Sequence, residues 1–456
     1  MTSSPDDFQA TRGAGLIDRR PVAEKALVVQ ITRPNAAALR DPEARLAEAV
    51  GLARALDFDV VEQASIALRA ITPATLFGKG RVEEVGHQVE DLAIDVVVVD
   101  DQLTPVQQRN LEKAWDAKVV DRTGLILEIF ARRARTREGK LQVELARLAY
   151  ERSRLVRTWT HLERQRGGFG VMGGPGETQI ETDRRLIADK IAKLKRELEE
   201  VRRTRSLHRE ARKRTPYPTV ALVGYTNAGK STLFNRLTDG GVLAKDMLFA
   251  TLDPTLRELR LPDGRPAILS DTVGFISDLP HELVEAFRAT LEEVKTADLI
   301  LHVRDMASPV SDAEAADVEE VLERLDLGPD SHRRLIEVWN KADLAPEDER
   351  GLLAARAKRG GEGGRPLAVV VSALTGEGCA ELLRAVADAI DEAPEMQAEL
   401  SAENGEALAW LYRHGRVVAR EDEDDGQVRV RVRLDGQALG RFGRLFPAAQ
   451  LTPAQA

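Results

Sequence analysis

A multidomain α/β architecture is what this sequence predicts: a small N-terminal α/β domain, an antiparallel helical hairpin, a phosphate-loop α/β domain and a small C-terminal α+β module. Three observations predict it. β-like apolar runs alternate with helix starts in the first third, leucines recur at heptad spacing on both sides of a glycine-rich run, and a buried-strand run passes through glycines into a helical stretch. The 456 residues allow roughly three or four domains. With 43 % hydrophobic and 31 % charged residues, a fibrous, mainly disordered or membrane-spanning chain is excluded. Cys379 is the single cysteine, which rules out an intrachain disulfide and a Cys-rich zinc module and points to a reducing, cytoplasmic compartment, with loose membrane association left open. No apolar run at the N-terminus reads as a signal or span.

The expected boundaries are a disordered tail over 1–20, the N-terminal α/β domain over 21–136, the hairpin over 137–215, the phosphate-loop domain over 216–393 and the C-terminal module over 394–456. Lys25 opens the strand KALVVQI. Asp41-Pro42 supplies an N-cap and a first-turn proline for a helix through Ala55. DVVEQASIAL, IDVVVVD and KVVD are further strands, Thr104-Pro105 opens another helix, and Leu125–Ala134 is helical, so the sheet is mostly parallel. FGKGRVEEV turns into a helix through Gly78 and Gly80. It carries no Walker motif, so a second nucleotide site in this domain has little support.

The net charge of −9 conceals an asymmetry, since residues 131–214 hold 24 Lys and Arg against 12 Asp and Glu. A basic segment in an otherwise acidic chain suits a phosphate-rich partner, although such runs are also common as solvated helix faces. Leu141, Leu145, Leu148 and Leu155, then Ile187, Ile191, Leu194, Leu198 and Val201, form two heptad seams. One chain satisfies both, so a monomer is expected. Between them GGFGVMGGPGETQ holds six glycines from Gly167 to Gly176, a composition no helix tolerates. A longer glycine-rich tip with Arg164, Arg166, Gly167, Gly168, Gly174, Gly176, Arg184 and Arg185 around it suggests close approach to RNA backbone.

The chemistry is carried further on. After VALVG, the run Gly224-Tyr225-Thr226-Asn227-Ala228-Gly229-Lys230-Ser231 fits GxxxxGK[ST] and leads into STLFNRL. Its glycines let backbone N–H groups face phosphates, Lys230 supplies a cation to the β/γ oxygens, and Ser231 is placed to hold Mg²⁺. The run AILS ends in Asp271-Thr272-Val273-Gly274. Its carboxylate would hold Mg²⁺ through water, and Gly274 would bring its N–H to the γ-phosphate. Asn340-Lys341-Ala342-Asp343 follows the run LIEVW. A carboxylate there accepts both N1–H and N2–H₂ of guanine, a donor pair that adenine lacks. Ser372-Ala373-Leu374 follows AVVV, where a backbone N–H would meet the guanine O6.

In this order, GYTNAGKS, DTVG, NKAD and SAL look like the nucleotide-binding motifs of Ras-like translation-factor GTPases. More narrowly, GPGETQ, RARTREGKLQVELARL, VVDRTGLILEIF and FATLDPT resemble the HflX family, over about Lys25 to Ile390. The resemblance implies a Ras-like P-loop GTPase with bound GTP or GDP and Mg²⁺. It also implies a partner, the large ribosomal subunit near its catalytic centre, where family members split or rescue stalled ribosomes. Within the loop Phe249, Ala250, Thr251, Leu252 and Asp253 it assigns Thr251 as the switch threonine that completes the Mg²⁺ shell only with GTP, Thr255 being the lesser candidate. Where Ras-like proteins orient water with glutamine, this chain has Phe275, so slow intrinsic hydrolysis stimulated by a docked partner is expected, unless Phe275 is simply a core side chain. Asn227 stands where some cation-dependent GTPases hold K⁺.

After Pro394, GEALAWLYRHG reads as a helix ending at Gly415, and GRVVARED with QVRVRVRL as a β-hairpin. Val428, Val430, Val432 and Leu434 share one face and Arg429, Arg431 and Arg433 the other, a row suited either to RNA or to the acidic run 421–425. Two other functions compete with the GTP-dependent ribosome factor. One is an RNA-binding remodelling or assembly protein gated by nucleotide; the other, a small-molecule kinase, lacks any acceptor motif.

Overall fold

The computed structural model describes residues 23–33, 41–163, 175–213, 217–238, 248–249, 251–277, 288–325, 327, 334–359, 367–391, 394–401, 405–422, 427–434, 436–447, 449 and 451–453. The expected N-terminal tail, Arg164, Arg166, Gly167, Gly168, Gly174 and Ala250 lie outside these residues. The described residues form two compact units, one of residues up to 34 together with 46–122, the other of residues 35–45 together with 123 onward.

The first unit contains a four-stranded parallel sheet of β1 (Lys25–Thr32), β2 (Asp59–Ala67), β3 (Val96–Asp100) and β4 (Lys118–Asp121), in the order β2-β1-β3-β4. Its helices are α1 (Pro42–Arg54), α2 (Lys79–Leu92) and α3 (Pro105–Trp115). β1 and β3 are buried along nearly their whole length, as parallel central strands covered on both faces must be, whereas the edge strand β2 is half exposed. α3 begins as its sequence predicts: Thr104 and Gln107 form a reciprocal capping box ahead of Pro105. Arg122 is buried against Asp100 at 2.5 Å and against Glu48. Burial disfavours its charge, but the two carboxylates outweigh burial and hold the guanidinium firmly protonated.

After the first unit come α4 (Arg122–Arg133), α5 (Arg137–Glu163) and α6 (Pro175–Lys213), in the second unit from Thr123 on. Leu141 and Leu148 of α5 pack with Ile191, Leu194 and Leu198 of α6, and Leu145, Ile187 and Val201 border them. This is the expected seam, although the Leu155 side chain lies outside the described part. The glycine-rich sequence is not excluded from helix throughout. Gly176 and the Glu-Thr-Gln after it belong to α6, because Pro175 serves as a first-turn residue whose missing N–H costs nothing there.

A six-stranded sheet follows, built from β5 (Thr219–Gly224), β6 (Thr255–Arg260), β7 (Pro266–Asp271), β8 (Leu299–Asp305), β9 (Arg334–Asn340) and β10 (Leu367–Val370). The order is β10-β9-β8-β5-β7-β6, parallel except for the edge strand β6. α7 (Lys230–Leu237), α8 (Arg288–Thr296), α9 (Ser311–Arg324), α10 (Glu347–Lys358) and α11 (Cys379–Ala389) alternate with these strands. Val220, Leu222, Leu301, Val303, Leu233 and Phe234 are fully buried at its centre. From β5 the chain adds β7 on one side and then crosses to β8 on the other, so the order of connection reverses at β5 and the strand ends there open a crevice in which ligands of doubly wound sheets bind.

The C-terminal module contains β11 (Glu395–Ser401), α12 (Gly405–His414), β12 (Arg416–Asp422), β13 (Gln427–Arg433), α13 (Gly436–Leu445) and β14 (Leu451–Pro453). Its antiparallel sheet runs β12-β13-β11-β14. The β12–β13 hairpin is as expected, with Val428, Val430, Val432 and Leu434 buried. β11 escapes sequence reading because EMQAELS favours a helix by composition; pairing with β13 overrides that preference and buries Met396, Ala398 and Leu400. The arginine row meets acids on both neighbouring strands. Arg429 faces Glu399 and Glu421, while Arg431 and Arg433 face Glu395. Of the two roles weighed for this row, the ion-paired sheet surface is the one the structure displays.

Candidate nucleotide site

The site grows from the carboxyl ends of β5, β7, β8 and β9. At the end of β5 the loop from Gly224 to Gly229 turns back into α7. Gly229 has φ +91°, and a Cβ there would drive into the Asn340 side chain, so this position needs glycine both for its backbone and for space. Lys230, fully buried, donates to the carbonyls of Tyr225 at 2.6 Å and Gly224 at 3.1 Å. Burial lowers its pKa to about 8 against the opposing pull of Asp271. Burial likewise raises the Asp271 carboxyl, while Ser231, Lys230 and Thr251 pull it down.

Ser231, Thr251 and Asp271 come together. The Ser231 hydroxyl donates to Asp271 Oδ2 at 2.8 Å, Thr251 Oγ1 donates to the same oxygen at 2.9 Å, and the two hydroxyls are 2.8 Å apart. The other carboxylate oxygen, Oδ1, is buried with no hydrogen-bond partner among the described residues. Three oxygen-bearing side chains around one point, one with an unspent acceptor, are the donor set of a hard divalent cation. Thr255 heads β6 in register with Asp271.

The turn after β7 is tied to the phosphate loop. Thr226 N–H donates to the Phe275 carbonyl at 2.7 Å, and Phe275 N–H donates to the Gly224 carbonyl at 3.1 Å. Thr272 donates to the Leu222 carbonyl at 2.5 Å, and Val273 is buried. A Cβ at Gly274 would lie 2.9 Å from Lys230 Nζ, so glycine is what lets this turn approach the lysine. The Phe275 side chain is 5 % exposed and packs inward, the placement of a core residue. Asn227 is exposed at the loop tip with φ +60°, a conformation that asparagine tolerates better than most residues.

The segments after β9 and β10 are braced by one side chain. Asn340 donates to the Ala228 carbonyl at 2.8 Å and accepts the Ala373 N–H at 3.0 Å, joining the phosphate loop to the loop after β10. Asp343 Oδ1 accepts the Ser372 hydroxyl at 2.6 Å, which fixes its carboxylate. Ala342 is buried, and Lys341 pairs with Asp305 at 2.7 Å. Within Ser372-Ala373-Leu374 the expectation of a free backbone donor narrows. Ser372 N–H is taken by the Glu377 carbonyl and Ala373 N–H by Asn340, which leaves that of Leu374.

Two expected nucleotide-lining side chains face elsewhere. Phe249 stacks edge-on against Phe130 at 4.6 Å, and the Asp253 carboxylate binds the backbone of Arg135 and Thr136. Leu252 is buried between them. Their sequence neighbourhood was informative, but their direction depends on helices more than a hundred residues away. Arg236 and Asp305 were missed in the sequence. Arg236 donates to the carbonyls of Ala373 and Leu374, a role no local pattern announces. Arg184 and Arg185 are exposed on α6.

Comparison with known proteins identifies the family. Four family profiles match in succession: "GTP-binding GTPase N-terminal" over 43–131, "GTP-binding GTPase Middle Region" over 133–212, "50S ribosome-binding GTPase" over 219–341 and "HflX C-terminal domain" over 359–450. The likeness therefore continues beyond Ile390, further than the sequence motifs alone carried it. The chain is 52 % identical to GTPase HflX of Magnetococcus marinus, covering 94 % of this chain and 96 % of that one. It is 42 % identical to GTPase HflX of Escherichia coli strain K12, covering 92 % and 95 %. Among solved structures, a GTP-binding protein from Sulfolobus solfataricus in complex with GDP aligns at 22 % identity and a TM-score of 0.44, over 80 % of this chain and 98 % of that one. A chain matched by the HflX C-terminal profile, and more than half identical to one GTPase HflX over nearly its whole length, belongs to the HflX family of GTPases, enzymes that bind and hydrolyse GTP.

Proposed function

We propose that this GTPase is a monomeric cytoplasmic factor of the large ribosomal subunit that splits or rescues stalled ribosomes. In this reading GTP orders the loop carrying Thr251, and the glycine-rich tip between α5 and α6 contacts ribosomal RNA, with Arg164, Arg166, Arg184 and Arg185 supplying charge. The observation that carries it is the basic segment that includes the helical hairpin and leads directly into the nucleotide domain: 24 Lys and Arg against 12 Asp and Glu over residues 131–214, in a chain that is otherwise acidic. The description of the matched nucleotide-domain family, a ribosome-binding GTPase of the 50S subunit, supports the choice of partner.

At the site, backbone N–H groups of Asn227 to Ser231 and the Lys230 ammonium bind phosphate oxygens, and Asp343, held by Ser372, selects guanine. Ser231, Thr251 and Asp271 would hold Mg²⁺, which when bound would supply neutralisation of phosphate charge. Asn227 is the candidate for a K⁺ contact, and equal turnover in Na⁺ and K⁺ would remove it. Phe275 orients no water, so the chain by itself hydrolyses GTP slowly and the docked subunit completes the arrangement.

The test is GTP turnover by the protein alone and with purified large subunits, with ATP as control. A rise of about tenfold or more, specific to GTP, corresponds to about 1.4 kcal/mol of barrier lowering and supports this reading. Equal stimulation by naked RNA of any sequence would favour the second reading, a nucleotide-gated RNA-remodelling or assembly protein, which the exposed arginines of α6 also suit.

A further inference from the structure

Asp253 follows Thr251 by two residues, yet its carboxylate is spent on the helical hairpin. Oδ2 accepts the backbone N–H groups of Arg135 at 2.8 Å and Thr136 at 2.9 Å, and Oδ1 accepts the Thr136 hydroxyl. Thr136 Oγ1 in turn accepts the N–H of Gly139 at 3.0 Å, so Thr136 is the N-cap of α5 and Asp253 fixes that cap and the residue before it. The fit is close: a Cβ at Gly139 would collide with the Asp253 carboxylate. On the other side of Thr251, Phe249 is 2 % exposed, holds φ +55° and rests on Phe130 of α4. Thr251 is therefore strung between two anchors on the α4–α5 junction, while its hydroxyl reaches Ser231 and Asp271.

A negative carboxylate at a helix N-terminus is favoured by the unpaired N–H groups and the helix dipole, and bonds to an ionised acceptor are about twice as strong as neutral ones. We propose that Asp253 is a positioning residue for GTP hydrolysis: by binding the N-terminus of α5 it holds Thr251 in place, and so links the nucleotide state to the base of the hairpin. Thermodynamic reciprocity then requires that a γ-phosphate, by ordering Thr251, tightens the cap on α5. The inference rests on the assignment of Thr251 to the Mg²⁺ shell and is independent of any ribosomal partner.

The experiment uses the full chain without ribosomes, and compares D253A, T136V, the double variant, T136S, G139A and T251A. Affinities for GDP and for a non-hydrolysable GTP analogue are measured with Mg²⁺, together with hydrogen exchange over 136–142. D253A, T136V and G139A each weaken analogue binding by about tenfold and leave GDP within about twofold; the double variant is no worse than either single one, and T136S stays near wild type. The analogue protects the first turn of α5 from exchange in the wild type but not in D253A. A wild-type ratio of analogue to GDP affinity in D253A, or additive losses in the double variant, would overturn the proposal. T251A separates the two ideas: loss of the ratio there with none in D253A removes the positioning role alone, whereas no loss in T251A removes the Thr251 assignment and the proposal with it.

Discussion

Lys230 shows how far one side chain depends on its surroundings. Burial takes its pKa to about 8, below the ordinary 10.5, so the apo protein gains stability as pH rises through that window and the charge is given up. Nucleotide phosphates reverse the preference, and binding above pH 8 must take up a proton. Affinity for GDP is therefore expected to fall by up to about tenfold per pH unit above that point, and K230R, which never loses its proton, to bind more weakly but with a flatter profile. Titrating GDP affinity against pH by calorimetry checks this. His302 is the complementary case. Fully enclosed in β8, with Arg304 and Lys230 near, its pKa falls to about 3 from 6.5, burial being the main cause. Its contribution to stability is complete above pH 6.5 and is lost as pH falls toward 3, so H302N should flatten a slope of about 1.4 kcal/mol per pH unit in that window. Denaturant midpoints at pH 4, 5 and 6, each about one unit apart, would show it.

At the scale of elements, the hairpin is held by a single seam, chiefly of leucines and isoleucines, with exposed flanks. Leu194→Ala should cost about 2–3 kcal/mol locally by opening a cavity, raising hydrogen exchange along α5 and α6 while GDP affinity stays within about twofold. A global loss of the nucleotide domain in that variant would show that the hairpin and that domain unfold as one. The seam was legible in sequence because heptad spacing survives any tertiary context. β11 was not, since its residues favour a helix and only the hydrogen bonds offered by β13 make them a strand. The start of α6 was misjudged for a related reason: glycine content argues against a helix interior, but Pro175 and Gly176 occupy the first turn, where the argument does not apply.

At the scale of the whole molecule, the proposed partner rests on the charge distribution. If the hairpin binds RNA, each exposed arginine displaces counterions, and the double variant R184E/R185E should lower subunit-stimulated turnover and reduce the slope of log affinity against log salt by about 1–2. Unchanged salt dependence would place the contact elsewhere in the basic segment or in the partner. Intrinsic GTP turnover in that variant should match wild type, because both arginines lie outside the nucleotide site.

What the sequence by itself determined was everything that depends on short spacings: the phosphate loop, the carboxylate at the end of β7, the Asn340 and Asp343 pair, the leucine seams and the alternation that makes parallel sheets. These are local because backbone geometry sets them within a few residues. Only the tertiary structure decided how distant groups meet. Asn340 braces two loops, Arg236 fastens the loop after β10, Ser372 holds Asp343, and Asp253 leaves the nucleotide to cap α5. The physical reason is the same in each case: each polar group pairs with one 29 or more residues away in the chain, and which such group comes within hydrogen-bond reach is settled by the packing of the chain and not by its order.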